Sequence, residues 1–158
     1  MEFVGTIIAP GLISDSSVET ASEFLNTNYE DGDKIIVYGY SYGGDAAVEF
    51  AESVPDTKID LVVTVDSSDG LIGAGVNATV NQTIPTNTKE SLNVYQTDQT
   101  TKSGADGQPH HAADEKKTKE TNVDASAPDV THGNIQGKKK DLIQTTINNT
   151  NQKLIIDS

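Results

Sequence analysis

Lys34-Ile-Ile-Val-Tyr-Gly-Tyr-Ser-Tyr-Gly-Gly-Asp45 is the stretch on which the reading of the fold turns. Lys34 to Tyr38 is apolar on both faces, as a strand in the middle of a parallel sheet is. Ala46, Ala47, Phe50, Ala51 and Val54 then recur at helical spacing, and Pro55 closes that run. Between the two patterns stand only Gly39-Tyr40-Ser41-Tyr42-Gly43-Gly44, so the chain must pass from strand to helix through a tight corner with a serine at its apex.

Outward from that corner the pattern repeats. Ile59 to Val65 (Ile-Asp-Leu-Val-Val-Thr-Val) is a strand that ends at Asp66. Upstream, Val18, Ala21, Phe24 and Leu25 pattern a helix near 16–29, opened by Asp15 or Ser16 and followed by the turn Asp31-Gly32-Asp33. Phe3 to Ala9 reads as a further buried strand, closed by Pro10-Gly11. A β-α-β-α-β order implies parallel strands joined by right-handed crossovers. Downstream, Leu92 to Gln96 reads as a strand, 97–120 as a long polar loop, Thr121 to Val123 as a short strand, and 138–150 as a C-terminal helix carrying Leu142, Ile143, Thr146 and Ile147. The expected fold class is α/β: a minimal, mostly parallel sheet of about four or five strands flanked by helices, in a single domain over 1–158.

Composition narrows the function. Net charge is −13, from 24 acidic against 11 basic residues, and such a surface repels phosphate backbones, so nucleic acid is not the expected partner. The lysines at 116, 117, 119 and 138–140 read as solvated runs. No cysteine is present, which excludes disulfides and thiolate metal sites. Apolar residues are 34% of the chain and lie mostly before residue 97. No apolar stretch approaches the roughly 20 residues of a membrane span. Nor does a basic segment followed by an apolar run mark a signal peptide, so export would need another carrier.

Gly39-Tyr40-Ser41-Tyr42-Gly43 matches G-x-S-x-G, and its position between a strand and a helix is the context of a nucleophile elbow. Gly39 and Gly43 relieve crowding at the turn, with Gly44 adding clearance. The geometry lifts the Ser41 hydroxyl above the sheet edge and aims the Tyr42 backbone N–H at a developing oxyanion. A serine hydroxyl needs a base. Of His110, His111 and His132, only His132 sits in a loop just before the last helix, while His110 and His111 read as solvated residues of the polar loop. Asp66, at the end of the strand after the elbow helix, is the first candidate for the acid. Asp98 is the second, and Asp69 and Asp129 stand outside the pattern. No metal or organic cofactor is needed for that chemistry. Tyr40, Tyr42, Leu71, Ile72 and Val76 line an acyl pocket or lid, or simply pack in the core.

The chain resembles the bacterial lipase-like α/β-hydrolases found as polymorphic-toxin and type VI secretion effector domains, often attached to Rhs repeat proteins. The resemblance rests on residues 35–45, 61–66, 84–96 (Ile-Pro-Thr-Asn-Thr-Lys-Glu-Ser-Leu-Asn-Val-Tyr-Gln) and 131–135 (Thr-His-Gly-Asn-Ile), within about residues 34–135. It implies a Ser41–His132–Asp66 triad acting on carboxylic esters, lipid esters among them. It also implies a bacterial effector delivered into a rival cell without its own signal peptide, with an immunity protein or a parent effector chain as partner. In such a fold the second oxyanion N–H comes from a strand and loop further upstream, which would lie before Met1. Either the chain is the C-terminal fragment of a larger toxin protein, or the Gly11-Leu12 region, with Leu12 as donor, takes over that role; the sheet would otherwise be completed by another chain, a homo-oligomer partner or the remainder of a larger protein. Two other readings stay open: a catalytically degenerate binding or assembly module on the same fold, and an acidic inhibitor-type protein.

Overall fold

The computed structural model describes residues 16–68, 80–97 and 107–152. The expected strand at 3–9, the donor at Leu12, Asp69, Leu71, Ile72, Val76 and Asp98 lie outside the described residues. Chain order is α1 (Ser17–Asn28), β1 (Ile36–Tyr40), α2 (Tyr42–Ser53), β2 (Ile59–Val65), β3 (Thr83–Ile84), β4 (Thr88–Tyr95), β5 (His111–Ala112), β6 (Lys119–Asp124), α3 (Ile135–Lys138) and α4 (Lys140–Gln152).

Four strands form one sheet in the order β1-β2-β4-β6, every neighbouring pair parallel. The fold is therefore α/β with a parallel sheet, as the periodicity dictates. β2 is buried along almost its whole length because its β-branched and aliphatic residues are covered from both sides. One face (Leu61, Val63, Val65, Leu92, Val94) packs on Val130, Ile135 of α3 and Ile143 of α4. A second cluster packs Ile59 and Val62 with Phe50 and Ala51 of α2, and Val18, Ala21 and Leu25 of α1 lie against it. Each fully buried aliphatic side chain contributes about 1.5–3 kcal/mol, so these two clusters hold the strand ends in register.

Several elements differ from the sequence expectation. β1 begins two residues later and runs on through Gly39 and Tyr40, because the ladder continues past it: the Ser41 N–H still donates to the Val65 carbonyl at 2.9 Å. As an edge strand among the described residues, β1 is not buried on both sides, and Tyr38 is exposed. β4 starts at Thr88, four residues before the expected Leu92. The polar loop at 97–120 contains β5, which pairs with β3 in a second, two-stranded parallel sheet. The C-terminal helix arrives as two pieces, α3 and α4.

The second sheet corrects the reading of His110. It is not solvated but buried, 4% exposed. Its surroundings are a row of polar side chains at one register level of the main sheet, where Thr64 faces Asn93 and Asn93 faces Asn122. Thr64 Oγ1 donates to Asn93 Oδ1 at 3.1 Å, Asn93 Nδ2 donates to Asn122 Oδ1 at 2.9 Å, and Thr64 Oγ1 lies 3.4 Å from His110 Nδ1. Burial, with a smaller contribution from His111, lowers the His110 pKa from 6.5 to about 4. The unfolded chain therefore binds the extra proton between pH 6.5 and 4, and the folded chain does not. Stability attached to neutral His110 is complete above pH 6.5 and is lost as pH falls toward 4. Chemical denaturation at pH 7.5 and pH 5 should show the wild type losing about 2 kcal/mol more than His110→Gln. Equal losses would contradict this account.

Candidate active site

The corner after β1 is strained as a nucleophile elbow requires. Ser41 has φ 56° and ψ −127°, a conformation that an L-residue holds at roughly 1–3 kcal/mol and only when its surroundings enforce it. Three backbone bonds do so: Ser41 N–H to Val65 O, Gly44 N–H to Ser41 O at 2.8 Å, and Ser68 N–H to Ser41 O at 3.1 Å. A Cβ at Gly39 would sit 1.9 Å from the Gly43 carbonyl oxygen, and one at Gly44 would meet Ser67 Oγ at 2.3 Å. Gly39 and Gly44 are thus both crowded, and it is the Gly43 carbonyl that Gly39 must clear. α2 starts at the next residue, Tyr42, so Ser41 stands at the N-terminal end of a helix.

Asp66 occupies the matching position at the end of β2, and it is the other non-glycine residue with positive φ among those described, at 45°. Its N–H donates to Val94 O at 2.7 Å, and its carboxylate is fully buried. A buried carboxylate requires donors. Gln96, one residue past β4, supplies two: its side-chain Nε2 to Asp66 Oδ2 at 3.0 Å and its backbone N–H to Oδ1 at 3.3 Å. Gly107 allows this, since a Cβ there would lie 1.8 Å from the Gln96 carbonyl oxygen.

The third group arrives from the far end of the chain. His132 Nε2 lies 2.8 Å from Ser41 Oγ, and His132 Nδ1 lies 2.8 Å from Asp66 Oδ2. Buried Val130 and Ile135 pin the loop on either side of the histidine. Thr131 N–H donates to Asn134 Oδ1 at 2.8 Å, and Lys138 pairs with Asp129 at 2.5 Å. That ion pair lowers the Asp129 pKa and takes Asp129 away from the site, as expected of an outsider. Tyr40 fixes the ring itself: its ring stacks on the imidazole at 5.1 Å, and its hydroxyl donates to the His132 carbonyl at 2.5 Å. Burial, and then the Asp66 charge, push the Tyr40 phenol above its ordinary range, so it stays a donor. Tyr40 therefore lies under the histidine, where it also packs on the core.

These contacts set the proton positions. With Nδ1–H donating to the Asp66 carboxylate, Nε2 carries the lone pair and accepts from the Ser41 hydroxyl. Hydroxyl, base and orienting acid then stand in the order that nucleophilic acyl transfer needs. The residues that sequence reading singled out as Ser41, His132 and Asp66 are brought together. His111 is exposed, with its Nε2 3.0 Å from Thr83 Oγ1. Gln96, Tyr40 as a support for the ring, and Ser68 were not legible as site residues. Ser68 lies in Asp-Ser-Ser-Asp-Gly, which reads only as a turn.

No protein-family model matches the chain, and no curated protein matches it. Two clefts of about 410 and 420 Å³ lie elsewhere, one between β4, β6 and α4 and one at Pro55–Lys58 with Thr86–Lys89. Among the described residues no group of three or more His, Asp or Glu side chains is placed to hold a metal ion, and no helix is long and apolar enough to cross a membrane.

Proposed function

We propose that the protein is a serine hydrolase that cleaves carboxylic esters by acyl transfer through Ser41. The observation that carries this reading is the unbroken line Ser41 Oγ–His132 Nε2 at 2.8 Å and His132 Nδ1–Asp66 Oδ2 at 2.8 Å, with the serine in an enforced positive-φ turn. His132 takes the Ser41 proton as the oxygen attacks the ester carbonyl. Asp66 holds the imidazole tautomer and stabilises the imidazolium. His132 then returns the proton to the leaving alcohol. Water enters, gives a proton to His132 and attacks the acyl carbon; the Ser41 Oγ–carbon bond then breaks, His132 returns the proton to Ser41 Oγ, and the carboxylic acid is released. The Tyr42 backbone N–H at the start of α2 is the assigned main-chain donor to the oxyanion.

Lipid esters are the favoured substrates, and delivery as an antibacterial effector with an immunity partner belongs to the same proposal. That part is supported by the resemblance of residues 35–45, 61–66, 84–96 and 131–135. A series of p-nitrophenyl esters from acetate to palmitate tests it. Turnover that rises with acyl length supports a lipid substrate, turnover confined to acetate and butyrate restricts the reading to short esters, and no turnover on any of them contradicts ester hydrolysis.

A further inference from the structure

The geometry points to Ser68 as a second catalytic hydroxyl, one that donates to the oxyanion during acyl transfer. This inference rests on the serine-hydrolase reading and extends it. Ser68 Oγ lies 3.2 Å from Ser41 Oγ, and Ser68 is buried, 3% exposed. The turn after Asp66 holds it there, because the Ser68 N–H is bonded to the Ser41 carbonyl at 3.1 Å. Its backbone donor is thus occupied in supporting the elbow, and its hydroxyl is what faces the reacting atom.

The proton inventory gives the direction of that contact. The Ser41 hydrogen goes to His132 Nε2, since Nδ1–H is committed to Asp66. Ser41 Oγ can then only accept, and Ser68 O–H is the donor. When Ser41 Oγ bonds to the acyl carbon it becomes an ester-type oxygen and a poor acceptor. The former carbonyl oxygen, one bond angle away on the same carbon, takes the negative charge. The Ser68 hydrogen rotates from the first oxygen to the second, forming a charge-assisted bond that does not exist in the ground state. No proton is transferred in this step, and the hydrogen returns to Ser41 when the acid is released. The arrangement supplies from the β2 end a donor that the sequence reading sought from Leu12.

Ser68→Ala should lower kcat for p-nitrophenyl butyrate by ~10²–10³ with little change in KM, the loss expected for one oxyanion donor. Affinity for an alkyl boronic acid, whose tetrahedral adduct on Ser41 places an oxygen at the oxyanion position, should fall by a similar factor. A hydroxyl that merely braced the turn would lower the melting temperature and leave kcat per folded molecule unchanged. Wild-type kcat in a folded Ser68→Ala overturns the inference while leaving the triad standing. Absence of both turnover and boronate binding in the wild type overturns the hydrolase reading and this inference with it. Should Ser68→Ala fail to fold, a crystal structure of the wild-type boronate adduct decides. Ser68 Oγ about 3 Å from the boronate oxygen supports the assignment, and a separation well beyond hydrogen-bond reach overturns it.

Discussion

Ser41→Ala will reduce ester turnover by about 10⁴–10⁶ while leaving a folded protein. The substitution removes the only atom that bonds to the acyl carbon, so what remains is the polarisation provided by oxyanion donors. Stability should change by no more than about 1 kcal/mol, because the main-chain bonds of the elbow survive. Ser41 N–H still reaches Val65 O, and Ser41 O still accepts from Gly44 and Ser68. Alanine at φ 56° carries the same backbone strain as serine. Turnover of p-nitrophenyl butyrate, read beside thermal unfolding, separates the two effects. A folded Ser41→Ala with turnover within tenfold of wild type would remove Ser41 from the mechanism.

Asp66→Asn will lower kcat by about 10³–10⁴, with KM little changed. Three donors converge on the carboxylate: His132 Nδ1 and Gln96 Nε2 on Oδ2, and the Gln96 N–H on Oδ1. An asparagine has one acceptor oxygen, so one of its positions must face a donor with a donor. With the amide nitrogen at the Oδ2 position, two donors oppose it and His132 is pushed to the tautomer that cannot take the Ser41 proton. The reverse placement opposes only the Gln96 N–H and keeps the tautomer, but the charge that stabilises the imidazolium is gone. Either way the chemical step suffers, and the unmatched donor lowers stability by about 1–3 kcal/mol. The same change at Asp98, the alternative acid, should leave turnover intact. If Asp98→Asn is the damaging variant and Asp66→Asn is not, the assignment of the acid is wrong.

The parts legible in the sequence are those whose cause is local. β2 matches its expected bounds residue for residue, because Ile59 and the aliphatic and β-branched run Leu61 to Val65, set between Pro55 and Asp66, admit little else. Ser41 was visible because a strand pattern and a helix pattern meet there with glycines between them. His132 was visible through its place before the last helix. The opening of β4 was hidden, since Thr88-Lys-Glu reads as polar loop. In the sheet Lys89 points outward to solvent while Thr88 and Ser91 are buried. β3 and β5, two residues each, are too short to carry a period. The burial of His110 was hidden for a different reason: its partners Thr64 and Asn122 come from two other strands, and polar residues at one register level give no apolar signal. Gln96 and Ser68 share that cause. Gln96 reaches Asp66 across 30 residues of chain and Ser68 reaches Ser41 across 27, contacts that exist only once β1, β2 and β4 lie side by side.

Covalent capture by a fluorophosphonate, located by peptide mass spectrometry, tests the activated serine most directly. The geometry predicts a single adduct on the peptide carrying Ser41, formed by wild type and absent from Ser41→Ala and His132→Ala. No adduct on wild type, or an adduct on another serine that persists in Ser41→Ala, would contradict it.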